Sequence, residues 1–269
     1  MKKHRTGIAD AMPDRYMKHV GVILTALLGC CLLLCMPLPA QAKDYGKDDY
    51  DRTRWGGIRE DYLNTKTDRL IFVKYRGGTR AAVEMWEKAE LMNRPLSDEA
   101  GEEVSGMPAD GTDAVTDWIK IVSCDAYVGA NGLDKKKEGD RKTPTGIYNI
   151  MMAFGRKQSP GTAGISYTKL NKYHYWSDER DTYNQFVDVR TLNRKRMSGE
   201  HLIDYDPQYN YALALDYNKK CIYLKGSAIF LHCFGNHTYT EGCIAVSEKD
   251  MKKILRNTTT HTKICIYRQ

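Results

Sequence analysis

The chain has 269 residues, with 41 Lys and Arg against 34 Asp and Glu, a formal net charge of +7 and eight cysteines. That length supports one sizeable core or two small ones. Charges of both signs are interspersed and no long basic stripe occurs, which argues against a nucleic-acid partner.

Residues 1–19 are polar and carry Lys2, Lys3, Arg5, Arg15 and Lys18. The apolar run Val20–Leu38 follows and ends at Ala40-Gln41-Ala42. A basic region, an apolar core and a small-x-small triplet in that order predict a secretory signal peptide over residues 1–42, and hence an exported protein. The run is also near bilayer-spanning length, so an uncleaved anchor is the alternative and the one expected route to a membrane. Beyond Ala42 there remain 36 basic and 32 acidic residues and five cysteines: Cys124, Cys221, Cys233, Cys243 and Cys265. An odd count leaves at least one thiol without an internal partner. Two disulfides, or small buried thiols, both remain open.

Residues 43–68 are polar and aperiodic and predict a linker or arm ahead of a domain over 69–269. Leu70-Ile71-Phe72-Val73, the turn Arg76-Gly77-Gly78-Thr79 and the run Ala82–Trp86 predict a hairpin. Residues 93–113, with two Pro, three Gly and many acids, predict a loop. Trp118–Val128, Gly146–Ile150, Phe186–Val189, Ala212–Asp216, Ile222–Leu224 and Ala228–Leu231 read as short strands, with Asn218-Lys219-Lys220 as a hairpin turn. Residues 151–184 predict a long Tyr-rich loop, where Tyr167, Tyr173, Tyr175 and Trp176 are candidates to line a cleft. Ser247 and Asp250 open a helix by a capping pattern, and Met251, Ile254 and Leu255 give it one apolar stripe. Lys263–Tyr267 closes the chain as a strand. The sum is a mainly β domain, sandwich or barrel, with one or two short helices.

The chemistry concentrates in Ala228–Asp250. His232 stands at the end of an apolar strand, a rigid platform with an open loop beyond it. Thr240-Glu241-Gly242-Cys243 opens a second apolar run, and Gly242 admits close backbone approach. A Cys among apolar neighbours needs a nearby base to act as a nucleophile, and His232 can serve if the ten intervening residues return the chain. Backbone N–H groups near Gly242 and Cys243 are candidates to hold an oxyanion. A zinc reading also exists, because His232, Cys233, His237 and Cys243 lie within twelve residues. Adjacent His-Cys on a strand point to opposite faces, which disfavours that set, and no metal or cofactor is expected. His237 belongs on the loop, in reach of a substrate.

This segment resembles the active-site motif of the L,D-transpeptidase family, with its YkuD-type catalytic domain: Leu231-His232, then Thr240-Glu241-Gly242-Cys243-Ile244. An upstream element is similar too: Val128-Gly129-Ala130-Asn131-Gly132, Glu138-Gly139-Asp140, and Lys142-Thr143-Pro144-Thr145-Gly146 before a strand. The resemblance runs from about Trp118 to Tyr267. It implies a mostly β catalytic domain acting on peptidoglycan stem peptides in the bacterial cell wall. Cys243 would be the nucleophile and His232 the proton acceptor and later donor, with Thr240, Gly242 and His237 around the oxyanion and substrate. A thioester formed from a stem tetrapeptide, with loss of D-Ala, would be resolved by an acceptor amine, without a cofactor. Resolution by water, as in an L,D-carboxypeptidase, uses the same residues, and a wall-binding module of weak activity is a further alternative. The chain departs from the family pattern at Glu241 (commonly His), Ala245 (commonly Arg or Asn) and Cys233 (commonly Gly or Ser). Glu241 is expected to face outward.

Overall fold

The computed structural model describes residues 52–91 and 115–268. The expected signal segment and the loop over 93–113 lie outside the described residues. In chain order the elements are α1 (Arg52–Leu63), β1 (Arg69–Gly77), β2 (Arg80–Leu91), β3 (Val115–Tyr127), β4 (Gly146–Gly155), β5 (Tyr167–Lys169) and β6 (His174–Ser177). There follow β7 (Phe186–Asp188), β8 (Gly199–His201), β9 (Ala212–Leu215), β10 (Phe230–Cys233), β11 (Ile244–Val246), α2 (Glu248–Asn257) and β12 (Lys263–Arg268).

The fold is mainly β, and its large sheet closes on itself. Strands run in the order β12-β1-β2-β3-β11-β10-β9-β4-β5, and β4 pairs back to β12, so eight strands form a barrel with β5 added at its margin. Two pairs within the barrel are parallel, β1 with β12 and β10 with β11. A second, three-stranded sheet, β7-β6-β8, comes from the segment between β5 and β9.

Strand alternation sorts side chains into three clusters. Ile71, Val73, Val83, Met85, Leu213, Leu231, Ile244 and Ile264 fill one core, completed by Met251, Ile254 and Leu255 of α2. Leu70 and Phe72, one step out of phase with Ile71 and Val73, pack instead with Trp55 and Ile58 of α1. On another face, Ala212, Ala214, Phe230 and Cys243 pack with Trp176, Leu202 and Tyr209 of the inserted segment. Strands covered on both faces read as continuous apolar runs, and that is how β1, β9, β10 and β11 appear in the sequence.

Helix α2 starts as its capping pattern predicts: Ser247 Oγ accepts from the Asp250 N–H (3.0 Å). Three expectations need correction. Residues 52–63, expected within a polar arm, are helical. Trp55 and Ile58, three apart, bury one stripe, and the Trp118 indole donates to Arg59 O (2.8 Å). Gly56 and Gly57 and a charged outer face hide that stripe from a sequence reading, and tertiary packing supplies what propensity lacks. Residues 222–224 are not a strand. Asn218 sits at φ 50°, and its side chain accepts from the Ile222 N–H (3.0 Å) and donates to Ile222 O and Gly226 O (both 2.9 Å), taking backbone groups that a hairpin would pair. Residues 151–184 are not one long loop. Strand β4 continues to Gly155, and β5 and β6 follow. His174 and Ser177 made β6 look polar, but both are buried with local partners, Asn171 and Thr182.

Candidate active site

The parallel register of β10 and β11 sets Leu231 against Ile244, His232 against Ala245 and Cys233 against Val246. One step back, Phe230 faces Cys243, and its N–H donates to Cys243 Sγ (3.3 Å). Alternation therefore sends Leu231, Cys233, Ile244 and Val246 into the barrel and His232 and Cys243 to its outer side. There both line one cleft of about 500 Å³, roofed by the inserted segment through Trp176, Glu200, Tyr205 and Tyr209.

Both groups are buried, and burial dominates their titration. It pushes the His232 imidazole down to about 4 and raises the Cys243 thiol well above its ordinary value. The pair therefore rests as a neutral thiol and a neutral imidazole at pH 7. The His232 tautomer follows from one contact: Nδ1 lies 2.7 Å from Cys233 O. A carbonyl only accepts, so Nδ1 carries the hydrogen and Nε2 keeps the lone pair. The Cys243 thiol donates to Ala228 O (3.1 Å).

The loop bearing Cys243 is laced to the upstream motif. Thr240 Oγ1 donates to Cys243 O (2.6 Å) and accepts from the Gly242 N–H (3.2 Å). Thr143 Oγ1 donates to the same carbonyl (3.2 Å) and accepts from the Gly129 N–H (2.8 Å). Backbone bonds from Ala130 N to Thr240 O (2.9 Å) and from Thr240 N to Val128 O (3.0 Å) complete the seam. Gly242 has φ +150°, and a Cβ there would stand 3.0 Å from Lys142 O, so the residue must be small. Its N–H is already engaged by Thr240, whereas the Cys243 N–H meets no acceptor among the described residues.

The turn before β4 is held by Asp140. Its Oδ1 accepts from Lys135 Nζ (2.9 Å) and the Lys142 N–H (3.1 Å), its Oδ2 from the N–H groups of Lys136 (2.6 Å) and Lys137 (3.1 Å). Burial alone would raise this carboxyl, but those donors together bring it down to about 2. Lys135 is buried in the cleft wall, where its Nζ lies 3.7 Å from the position of a Cβ on Gly242.

His237 lies on the exposed loop at the cleft rim, stacked on Tyr239 (5.0 Å between centroids). Glu241 is exposed and makes a two-point pair with Arg141 (2.7 and 2.8 Å). Of the four candidate aromatics only Trp176 lines the cleft. Tyr175 stacks on His201 (4.5 Å), and Tyr167 donates to Lys157 O (2.8 Å). The structure adds Lys135, Glu138, Glu200, Tyr205 and Tyr209 to the cleft. Lys135 and Glu138 lie within the upstream motif and could have been found there. Glu200 is an isolated acid in a charged stretch and carries no sequence signal. Among the described residues no group of three His, Cys, Asp or Glu side chains is placed to hold a metal ion, and Cys233 points away from His232 into the barrel.

Residues 110–266 match the family model of the L,D-transpeptidase catalytic domain, YkuD. The chain belongs to the L,D-transpeptidase family. A search of curated proteins gave no match. Within the L,D-transpeptidase domain, the matched region spans both motifs, β3 to β12 and the whole inserted segment over the cleft. The family is one of enzymes that act on peptidoglycan peptides of the cell wall.

Proposed function

We propose that the protein is an exported peptidoglycan L,D-transpeptidase that works through a Cys243 thioester. The observation that carries this reading is that His232 and Cys243 share one face of the parallel β10–β11 pair and line one cleft, with Nδ1 of His232 held by Cys233 O. In the first step the Cys243 sulfur attacks the carbonyl of the diamino acid in a stem tetrapeptide while its proton passes to His232 Nε2. The tetrahedral intermediate collapses, its C–N bond breaks, and His232 returns the proton to the departing D-Ala amine. The Cys243 N–H, free of any partner among the described residues, is the donor best placed to meet the developing oxyanion. An amine of a second stem then displaces the thiolate and forms the crosslink. Because both resting groups are neutral, proton transfer accompanies attack and no thiolate is stored beforehand.

The test is the intact mass of residues 43–269 after exposure to a carbapenem, with Cys243→Ala alongside. A stable adduct on the wild type only supports the acyl-transfer reading. Absence of an adduct on both would overturn it and favour a wall-binding module. Incubation with stem tetrapeptide and an amine acceptor then separates a transpeptidase, which yields crosslinked peptide, from an L,D-carboxypeptidase, which yields tripeptide alone.

A further inference from the structure

The cleft holds carboxylates that no cation among the described residues pairs with. Four acids line it: Glu138, Asp178, Glu200 and Glu241. Glu241 is paired with Arg141, and the one lysine of the lining, Lys135, is paired with Asp140. Glu138 accepts from the hydroxyls of Tyr183 and Ser227. Among the described residues, Glu138, Asp178 and Glu200 have no cationic partner. A cleft with that excess favours a positively charged ligand.

Glu200 is the acid tied to the chemistry. It sits on β8 opposite Trp176 of β6, and its neighbour Gly199 packs so closely that a Cβ would fall 2.2 Å from Trp176 O. That contact fixes the backbone beneath the carboxylate. Oε2 accepts from the Tyr209 hydroxyl (2.5 Å), and the Tyr209 ring meets the rings of His232 and Phe230 edge to face, both at 5.5 Å. One tyrosine therefore spans from the carboxylate to the base. Oε1 has no partner among the described residues. A partly buried carboxylate with an open oxygen and no counter-ion is costly unless a ligand completes it.

We propose that Glu200 binds the ammonium group of the incoming acceptor amine beside the Cys243 acyl-enzyme and takes its proton. This rests on the acyl-transfer reading above. The amine arrives as R–NH3⁺ and loses one proton to the Glu200 carboxylate. The freed lone pair attacks the thioester carbonyl and forms the new C–N bond. The attacking nitrogen gives a second proton to His232 Nε2, the C–S bond breaks, and His232 protonates the departing thiolate. The products are the amide, the free thiol and one proton on Glu200, which passes to solvent. The division of labour matches the basicities. Burial holds His232 near 4, too weak a base for an alkylammonium, whereas burial raises Glu200 to about 7. Water attack needs no ammonium subsite, so Glu200 bears on one branch of the acyl-enzyme's fate and not on the other.

The experiment measures the ratio of crosslinked to hydrolysed product from a stem tetrapeptide donor, with a diamino-acid tripeptide as acceptor, for wild type, Glu200→Gln and Glu200→Asp. The ratio is set after acylation, so changes in acylation rate cancel. Loss of a charge-assisted contact to the ammonium lowers it about 10- to 100-fold in Glu200→Gln. Glu200→Asp, one methylene shorter but still charged, retains an intermediate ratio and serves if the Gln variant does not fold. A merely structural role would depress both products alike. A ratio unchanged in both variants, on an enzyme that still acylates, overturns the assignment alone. A wild type that forms no acyl-enzyme overturns the acyl-transfer reading and this assignment with it.

Discussion

Thr143 and Cys243 stand one hundred positions apart, yet the Thr143 hydroxyl donates to the carbonyl oxygen of Cys243 while accepting from the Gly129 N–H. One side chain thus joins the turn before β4 to the loop that presents Cys243. Thr143→Val removes both bonds and leaves the buried Gly129 N–H unpaired. We expect a loss of about 1–3 kcal/mol in urea unfolding, together with slower carbapenem acylation. Thr143→Ser keeps the hydroxyl and should stay close to wild type. Equal behaviour of Val and Ser would show that the seam does not depend on this bond.

Gly242→Ala tests the space behind Cys243. The added Cβ meets Lys142 O at 3.0 Å on a backbone at φ +150°, so the Cys243 loop must shift. The expected result is at least a tenfold loss in acylation rate with a smaller change in melting temperature. A variant that acylates at the wild-type rate would mean that the loop has room to give.

The activity of His232 as a base should persist to low pH. Its buried ring gains a proton only near pH 4, so acylation by a carbapenem should show no imidazole limb between pH 5.5 and 7.5. A change across pH 7 that vanishes in Glu200→Gln would be the mark of the Glu200 carboxyl. An acid limb centred near 6.5 in that variant would contradict the burial of the His232 ring. His232→Gln should reduce acylation by about 10²- to 10⁴-fold, read by adduct formation over time.

Glu200 also carries a signature in stability. Its folded-state value, near 7, lies above the ordinary 4.5, so the folded protein holds a proton that the unfolded chain has released between those limits. Its contribution is complete below about pH 4.5 and is lost as pH rises through 7. Glu200→Gln should therefore gain on wild type across that window, by about 1–3 kcal/mol, and stay level above it. Urea unfolding at pH 4.5, 6 and 7.5 provides the comparison. A constant difference between the two proteins would show that the carboxyl titrates normally.

At the start of α2, Ser247→Ala removes the acceptor for the Asp250 N–H. A cost of about 1 kcal/mol is expected, seen as a lowered thermal midpoint without change in acylation.

Much of this architecture could be read from residues because the barrel strands are sandwiched between apolar layers. Leu70–Val73, Ala212–Leu215 and Ile244–Val246 appear as unbroken apolar runs, and Ser247 with Asp250 marks a helix start directly. His232 and Cys243 stood out as a strand-end histidine and a glycine-preceded thiol, and both line the same cleft. Three things were hidden. Helix α1 depends on two residues, Trp55 and Ile58, that gain their meaning only from the wall they cover. Asn218 resolves its loop through side-chain bonds that no alternation pattern encodes. Glu200 enters the cleft because β8 pairs with β6, a relationship between short strands separated by more than twenty residues.

The pairing of β12 with both β1 and β4 has a consequence for how the protein is made. Lys263–Arg268 is the strand that seals the barrel, yet among the described elements it stands last in chain order, and its partners are among the earlier ones. Until it arrives, two strand edges stay open, each a template for pairing with another chain. Cys243, already translated, waits for a closing strand twenty residues downstream before the barrel that carries it is complete. A chain interrupted before Lys263 would hold His232 and Cys243 without the closed barrel that orders them.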